Sequence, residues 1–102
     1  METKIITEFV RFETLNATTD EQIVTAVNSL TEFQKKLDGF LDAEIVKDMK
    51  EESWRIIFHY EDFEKVQAIG AQLRSSREFA DFNSLIASES LKISFSQQVN
   101  RW

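Results

Sequence analysis

The feature of this sequence that most constrains its fold is a stripe of apolar residues with helical spacing. The stripe advances in steps of 4, 3, 3 and 4 and consists of Ile23, Val27, Leu30, Phe33 and Leu37. This spacing places its members on one face of an amphipathic α-helix. A capping box precedes the stripe, formed either by Thr19 with Gln22 or by Thr18 with Glu21. Gly39 follows it and supplies the left-handed residue at which such helices end.

Four other segments contain alternating or β-branched apolar residues and predict strands, at 4–14, 40–49, 54–61 and 91–99. A second helical stripe follows the third strand and contains Phe63, Val66, Ile69 and Leu73. A capping box in the segment 75–78 predicts a short third helix beyond it. The order β-α-β-β-α-(α)-β indicates one ferredoxin-like α+β domain over residues 1–102. Its four-stranded sheet should be antiparallel, with the helices on one face.

The third predicted strand has two chemically different faces. Alternation places Trp54, Ile56, Phe58 and Tyr60 on one face and Arg55, Ile57, His59 and Glu61 on the other. We expect the bulkier set to pack under the helices, which leaves His59 on the opposite face of the sheet. In the first strand, Ile6, Val10 and Phe12 form the better helix-packing face, which Glu8 interrupts; Thr7, Phe9 and Arg11 share the other.

The face of the sheet without helices would expose Ile57 and Phe9 together. Apolar patches of this kind usually mark an interface or a cavity. We therefore hypothesise a homodimer in which two copies pack sheet against sheet.

Composition excludes several classes of function. A net charge of −6 and a pI near 4.8 oppose binding to a nucleic acid backbone. The chain has no cysteine, so it has no thiolate nucleophile or disulfide framework. No window approaches the length of an apolar membrane span, and the start METKIITEF lacks the pattern of a signal peptide. We expect a cytoplasmic protein with no membrane or nucleic acid partner.

Three short motifs resemble those of the antibiotic biosynthesis monooxygenase-like domains of the dimeric α/β-barrel superfamily. They are 37–41 (LDGFL) at the start of the second strand, 60–63 (YEDF) at a strand-to-helix junction, and 73–76 (LRSS) before Phe79 and Phe82. The resemblance spans nearly the whole chain and rests mainly on the order and spacing of the motifs. It implies a ferredoxin-like protomer, a dimeric α/β barrel and one cavity per subunit.

In relatives, the resemblance implies oxygenation of small aromatic or polyketide-like molecules without metal or flavin, haem degradation, or isomerisation of small metabolites. No cofactor is therefore expected. The chain departs from the family at the junction, where Phe63 replaces a Trp, and on the following helix, where Gln72 stands in place of a frequent His. The positions that resemble the Asn, Trp and His of haem-degrading members are Phe9, Phe63 and either Asp81 or Asn83, and none of these ligates iron as imidazole does. Haem degradation is thus disfavoured.

His59 is the only histidine and the most natural proton-transfer residue near neutral pH. Glu61 lies two residues on, and a carboxylate beside an imidazole orients the ring and favours its charged form. His59 and Glu61 are therefore candidate catalytic residues. The candidate cavity residues are Arg55, Ile57, Phe63, Gln72 and Phe9. The alternative is that these groups only satisfy one another at an interface. A lone His among scattered carboxylates fits no metal-site spacing.

Two functions remain open from the sequence. The first is a cofactor-independent monooxygenase for a small aromatic or polyketide-like molecule, with His59 as base and Arg55 or Gln72 as polar stabilisers. The second is a non-catalytic homodimer of the same fold that binds a ligand or has a purely structural role. An enclosed void lined by His59, Glu61 and Phe63 would favour the first.

Overall fold

A computed structural model describes residues 4–102, so the first three residues of the predicted domain lie outside the described part. The element order confirms the predicted ferredoxin-like arrangement. The strands are β1 (Ile6–Phe12), β2 (Phe40–Lys47), β3 (Trp54–Tyr60) and β4 (Lys92–Gln97). The helices are α1 (Asp20–Lys35), α2 (Phe63–Arg74) and α3 (Arg77–Asn83), with a 3₁₀ turn at Ser88–Ser90. None of the helices in this described range is long and apolar enough to cross a membrane.

Side-chain caps begin each of the three α-helices. Thr19 and Gln22 form the reciprocal capping box of α1, which decides between the two predicted pairs. The Asp62 carboxylate accepts from the Lys65 amide at 2.9 Å and starts α2. The capping box predicted for 75–78 is wrong, because Ser76 is the cap of α3 and accepts from the Phe79 amide at 3.1 Å. The third residue of that helix is therefore Phe79, which has no side-chain acceptor to return the bond.

The sheet has the order β2-β3-β1-β4 and is antiparallel throughout. Its register pairs Phe9 with Ile57 across the two central strands, and Thr7 with His59. A bulge between Phe40 and Asp42 shifts β2, so that Asp42 lies opposite His59. We call the side of the sheet that carries Thr7, Phe9, Ile57 and His59 the open face.

The core lies between the sheet and the helices, as the alternation of β3 predicts. The four helix-side residues of β3 are between 0% and 7% exposed and are Trp54, Ile56, Phe58 and Tyr60. The helix-side face of β1 is buried at Ile6, Val10 and Phe12. Phe12 meets Phe82 of α3 edge to face at 5.1 Å, which fastens the short helix to the sheet.

The two glycines of the chain have different structural roles. Gly39 has φ of +101° between α1 and β2, a conformation that side chains with a Cβ rarely adopt. A Cβ at Gly39 would also collide with the aliphatic part of Lys65. Gly70 is an ordinary residue of α2, where a Cβ would approach only the end of the Arg74 side chain, at 3.3 Å.

We therefore expect opposite effects when each glycine is replaced by alanine. Gly39→Ala should lower the free energy of unfolding by about 1–2 kcal/mol or more, because it forces a left-handed residue into a crowded site. Gly70→Ala should raise it by about 0.5–1 kcal/mol, since alanine is the better helix former. Urea denaturation of both variants measures the difference. Equal effects would contradict the roles assigned to the two residues.

Candidate functional site

A cavity of about 610 Å³ lies on the helix side of the sheet, between α2, α3 and the strands β1, β3 and β4. It exists because the helices do not cover the edge strand: every residue of β4 is exposed. Its lining contains Glu8, Tyr60, Phe63, Val66, Gln67, Gly70, Leu73, Arg74, Phe79, Ile93 and Phe95. We call it the helix-side cavity.

Two aromatic rings meet at the exposed side of this cavity. Phe63 begins α2 and Phe95 lies in β4, and their rings contact edge to face at 5.7 Å. They are 46% and 47% exposed, and Ile93 beside them is 49% exposed. Large apolar side chains that are half open to solvent are suited to covering a planar ligand, because they lose water when it binds.

The sheet wall of the cavity holds a carboxyl and a phenol in contact. The Tyr60 hydroxyl lies 3.0 Å from Glu8 Oε1 and 2.7 Å from Gln34 Oε1 of α1. A phenol has one proton and can donate to only one of these two oxygens at a time. When Tyr60 donates to Gln34, a protonated Glu8 can donate to the Tyr60 oxygen, so that both contacts are hydrogen bonds. When Glu8 is ionised, Tyr60 donates to Glu8 instead.

Burial raises the pKa values of both groups of this pair. It raises the pKa of Glu8 above its ordinary value, although the bond from Tyr60 opposes this shift. Burial also raises the pKa of Tyr60, and the nearby Glu8 carboxylate raises it further. Both shifts favour the neutral forms, and Glu8, whose ordinary pKa is much the lower, is the first of the pair to lose its proton as pH rises.

The open face holds a second hollow, of about 570 Å³. Its lining includes Phe9, Arg11, Arg55 and Lys92, and is therefore cationic around a single aromatic ring. His59 lies on the same face of the sheet, where its Nδ1 is 2.6 Å from Asp42 Oδ1. Among residues 4–102, no group of three His, Asp or Glu side chains is placed to hold a metal ion.

No family model matches the chain, and no curated protein matches its sequence. Its fold, in contrast, is that of several solved structures. A mutant of SnoaB, a cofactor-independent oxygenase from Streptomyces nogalater, superposes with a TM-score of 0.81 at 12% identity and 96% coverage of both chains. A protein from Caulobacter crescentus, proposed to be an antibiotic biosynthesis monooxygenase, superposes with a TM-score of 0.75 at 14% identity, covering 96% of this chain and 92% of that one.

A third structure, proposed to be an antibiotic biosynthesis monooxygenase from Nitrosomonas europaea, superposes with a TM-score of 0.72 at 12% identity, covering 97% of this chain and 94% of that one. The chain has the antibiotic biosynthesis monooxygenase-like fold. Identities this low show only the fold, so the chemistry has to be argued from the residues of this chain.

Within this monooxygenase-like fold, the structure separates the candidate residues predicted from the sequence. His59, Arg55, Ile57 and Phe9 lie on the open face, and only Phe63 lines the helix-side cavity. No described cavity brings His59 and Phe63 together. Gln72 is exposed on α2 and lines none of the cavities described above.

The carboxylate beside His59 is Asp42, and the predicted contact with Glu61 is wrong. The bulge in β2 places Asp42 opposite His59. Glu61 follows the end of β3, where its amide donates to the Gly39 carbonyl at 2.8 Å. A catalytic role for His59 stays a prediction.

Of the residues that line the helix-side cavity, only Phe63 was predicted as a site residue, and the two charged ones, Glu8 and Arg74, were missed. Glu8 had a visible signal, because it is the one acid on the apolar face of β1. A charged residue in such a position is seldom buried without a partner. No feature of the sequence marked Arg74, because arginine is common in the last turn of a helix, where it interacts favourably with the helix dipole.

We expect the stability of the protein to fall as pH rises because of Glu8. The folded state holds the Glu8 proton more tightly than the unfolded chain, whose pKa is near the ordinary value of 4.5. Stability is therefore lost as pH rises from this value through the folded pKa. Glu8→Gln keeps the acceptor for Tyr60 and removes the titration. Its melting temperature should exceed that of the wild type at pH 7, by a margin that vanishes below about pH 4.

Glu52→Gln is the matched control, because it removes the same charge from an exposed turn. Thermal unfolding of the three proteins across this pH range measures the margin. A Glu8→Gln margin that is the same at pH 4 and pH 7 would show that Glu8 does not hold its proton more tightly in the folded state.

Proposed function

We propose that this protein is a cofactor-independent monooxygenase that acts on a small aromatic or polyketide-like molecule in the helix-side cavity. The cavity is the observation that supports this most strongly. Its volume of about 610 Å³ lies in the range of small-molecule sites. Its walls are largely apolar and include four aromatic side chains, and its polar groups include a carboxyl–phenol pair. The likeness of the fold to SnoaB, a cofactor-independent oxygenase, supports the reaction class.

The proposed reaction needs one base and no electron source other than the substrate. A methylene group activated by a neighbouring phenol or carbonyl loses a proton to the Glu8 carboxylate, and the carbanion combines with O₂. The peroxide takes the proton back from Glu8. The hydroperoxide then loses water together with the remaining hydrogen of that carbon. The CH₂ group and O₂ thus become a C=O group and H₂O.

Glu8 is suited to this exchange for two reasons. A general base is most effective when its pKa is close to the working pH, and burial moves the pKa of Glu8 in that direction. The Tyr60 hydroxyl is also within hydrogen-bond distance of Glu8 in either protonation state. The half-exposed rings of Phe63 and Phe95 would cover the substrate and exclude water from the carbanion.

Oxygen uptake with a panel of anthrones, quinols and phenols tests the proposal. We expect uptake with at least one of them, and a rate about a hundredfold lower in Glu8→Gln, which is the loss typical for a missing general base. The exposed Glu52→Gln variant should retain the full rate. The rival assignment, with His59 as base on the open face, predicts instead that His59→Ala abolishes uptake while Glu8→Gln retains it.

A second candidate function is ligand binding without turnover. The observation that favours it is the replacement of the family Trp by Phe63, together with the exposure of Gln72 where many relatives carry His. In that case compounds of the same panel would raise the melting temperature by binding, in proportion to their concentration, and none would consume O₂.

We further propose a homodimer formed by the open faces of two copies. Ile57 and Phe9 are paired at the centre of this face and are only partly buried within one chain. Static light scattering should give twice the chain mass of 11.9 kDa. Ile57→Lys should give the monomer mass, because it adds a cation to a face that already carries Arg11, Arg55 and Lys92 and so increases the repulsion between two copies. Val24→Lys, on the exposed side of α1, should leave the mass unchanged. A wild-type monomer would contradict the proposal.

A further inference from the structure

Arg74 lies over a glycine of its own helix. A side chain on a helix points towards the preceding turn, and positions four apart share one face. The guanidinium Nη1 of Arg74 is 3.3 Å from where a Cβ of Gly70 would stand. Both residues line the helix-side cavity. The missing side chain of Gly70 thus leaves space in the cavity wall that the guanidinium uses.

The Arg74 guanidinium has no anionic partner in the described part of the chain. Five ion pairs are formed among residues 4–102 with N–O distances of 4.0 Å or less, and Arg74 is in none of them. Glu8 also lines the cavity but contacts Tyr60 instead. Five N–H donors of one planar group therefore have no side-chain acceptor.

Among the described residues that line the helix-side cavity, Arg74 is the one cation. The titratable groups that face it are Glu8 from β1, Tyr60 from β3 and Arg74 from α2; β4 and α3 contribute only apolar residues. Burial favours the neutral forms of both Glu8 and Tyr60 because it raises their pKa values. A ligand with a negative charge would form an ion pair with the Arg74 guanidinium, which a neutral ligand cannot do.

We propose that the helix-side cavity selects small planar aromatic anions, whose carboxylate or phenolate oxygens bind the Arg74 guanidinium beside Gly70. The ring lies against Phe63 and Phe95, and its far edge points towards the sheet wall. A planar guanidinium matches a carboxylate in a two-point contact, which fixes orientation as well as charge. The inference rests on the proposed function only for the location of the site, and it adds the charge class of the ligand.

The same geometry accounts for a glycine that costs helix stability. In the sequence, Gly70 lies within the span of the second apolar stripe, next to Ile69. An alanine there would be the better helix former, but its methyl group would crowd the guanidinium. Gly70 therefore acts as a positioning residue for Arg74. Its replacement by alanine should weaken ligand binding without destabilising the fold.

Isothermal titration calorimetry with two probes of nearly equal shape tests the inference. 2-Naphthoate carries a carboxylate where 2-naphthalenemethanol carries a neutral hydroxyl. We expect the wild type to bind 2-naphthoate about tenfold more tightly, which is typical of a hydrogen bond to a charged group. Arg74→Gln should abolish the preference. Gly70→Ala should reduce it while unfolding at equal or higher urea concentration than the wild type. Arg77→Gln, which removes the same charge from exposed α3 outside the cavity, should leave it intact.

Equal affinities of the wild type for the two probes, or a preference that survives Arg74→Gln, would overturn the inference. Both results are independent of oxygen uptake. A preference that depends on Arg74 in a protein that consumes no O₂ upholds the anion site and rejects the monooxygenase. Oxygen uptake by a protein that binds both probes equally would support the monooxygenase and reject the anion site.

Discussion

The helix layer of this domain is narrower than its sheet, and the site depends on that difference in width. Helices α1, α2 and α3 bury the helix-side residues of the two central strands, and three side chains of β2 pack partly against the same core. No residue of β4 is buried. The helix-side face of β4 is therefore only partly covered, through the contact of Phe95 with Phe63, and the helix-side cavity is the space between that face and α2.

The polar groups of the cavity are divided between its two walls. Glu8 and Tyr60 occupy the sheet wall, where burial disfavours charge, and Arg74 occupies the more exposed helix wall. The free-energy cost of a charge is lower at the solvent-exposed side of a cavity than at its buried side. The arrangement therefore gives a ligand one apolar surface, one cation and one proton-exchanging group, in three different directions.

The fold was predictable from the sequence because it depends on local periodicity. The alternation of β3 separated Tyr60 from His59 correctly, and the stripe of α1 located the core-facing side of that helix. The site was not predictable, because its geometry depends on long-range features. The bulge in β2 that brings Asp42 to His59 follows from strand pairing, and no local pattern announces it. The cavity likewise comes from the absence of a helix over β4, which alternation in β4 cannot reveal. Glu8 was recognisable in the sequence as an acid on an apolar face. Its contact with Tyr60, and the contact of Tyr60 with Gln34, depend on the fold and could not be predicted.

The exposure of β4 has a consequence for how a ligand enters. The strand is at the edge of the sheet, and its ladder runs only to β1. Its backbone is continued by one further bond, from the Gln98 amide to the Ile5 carbonyl at 2.8 Å. Segments with few buried contacts open at a free energy far below that of global unfolding. The outer wall of the cavity is thus the strand that contributes least to the core. Amide hydrogen exchange in β4 should therefore report the opening of the cavity, while the amides of β3 stay protected.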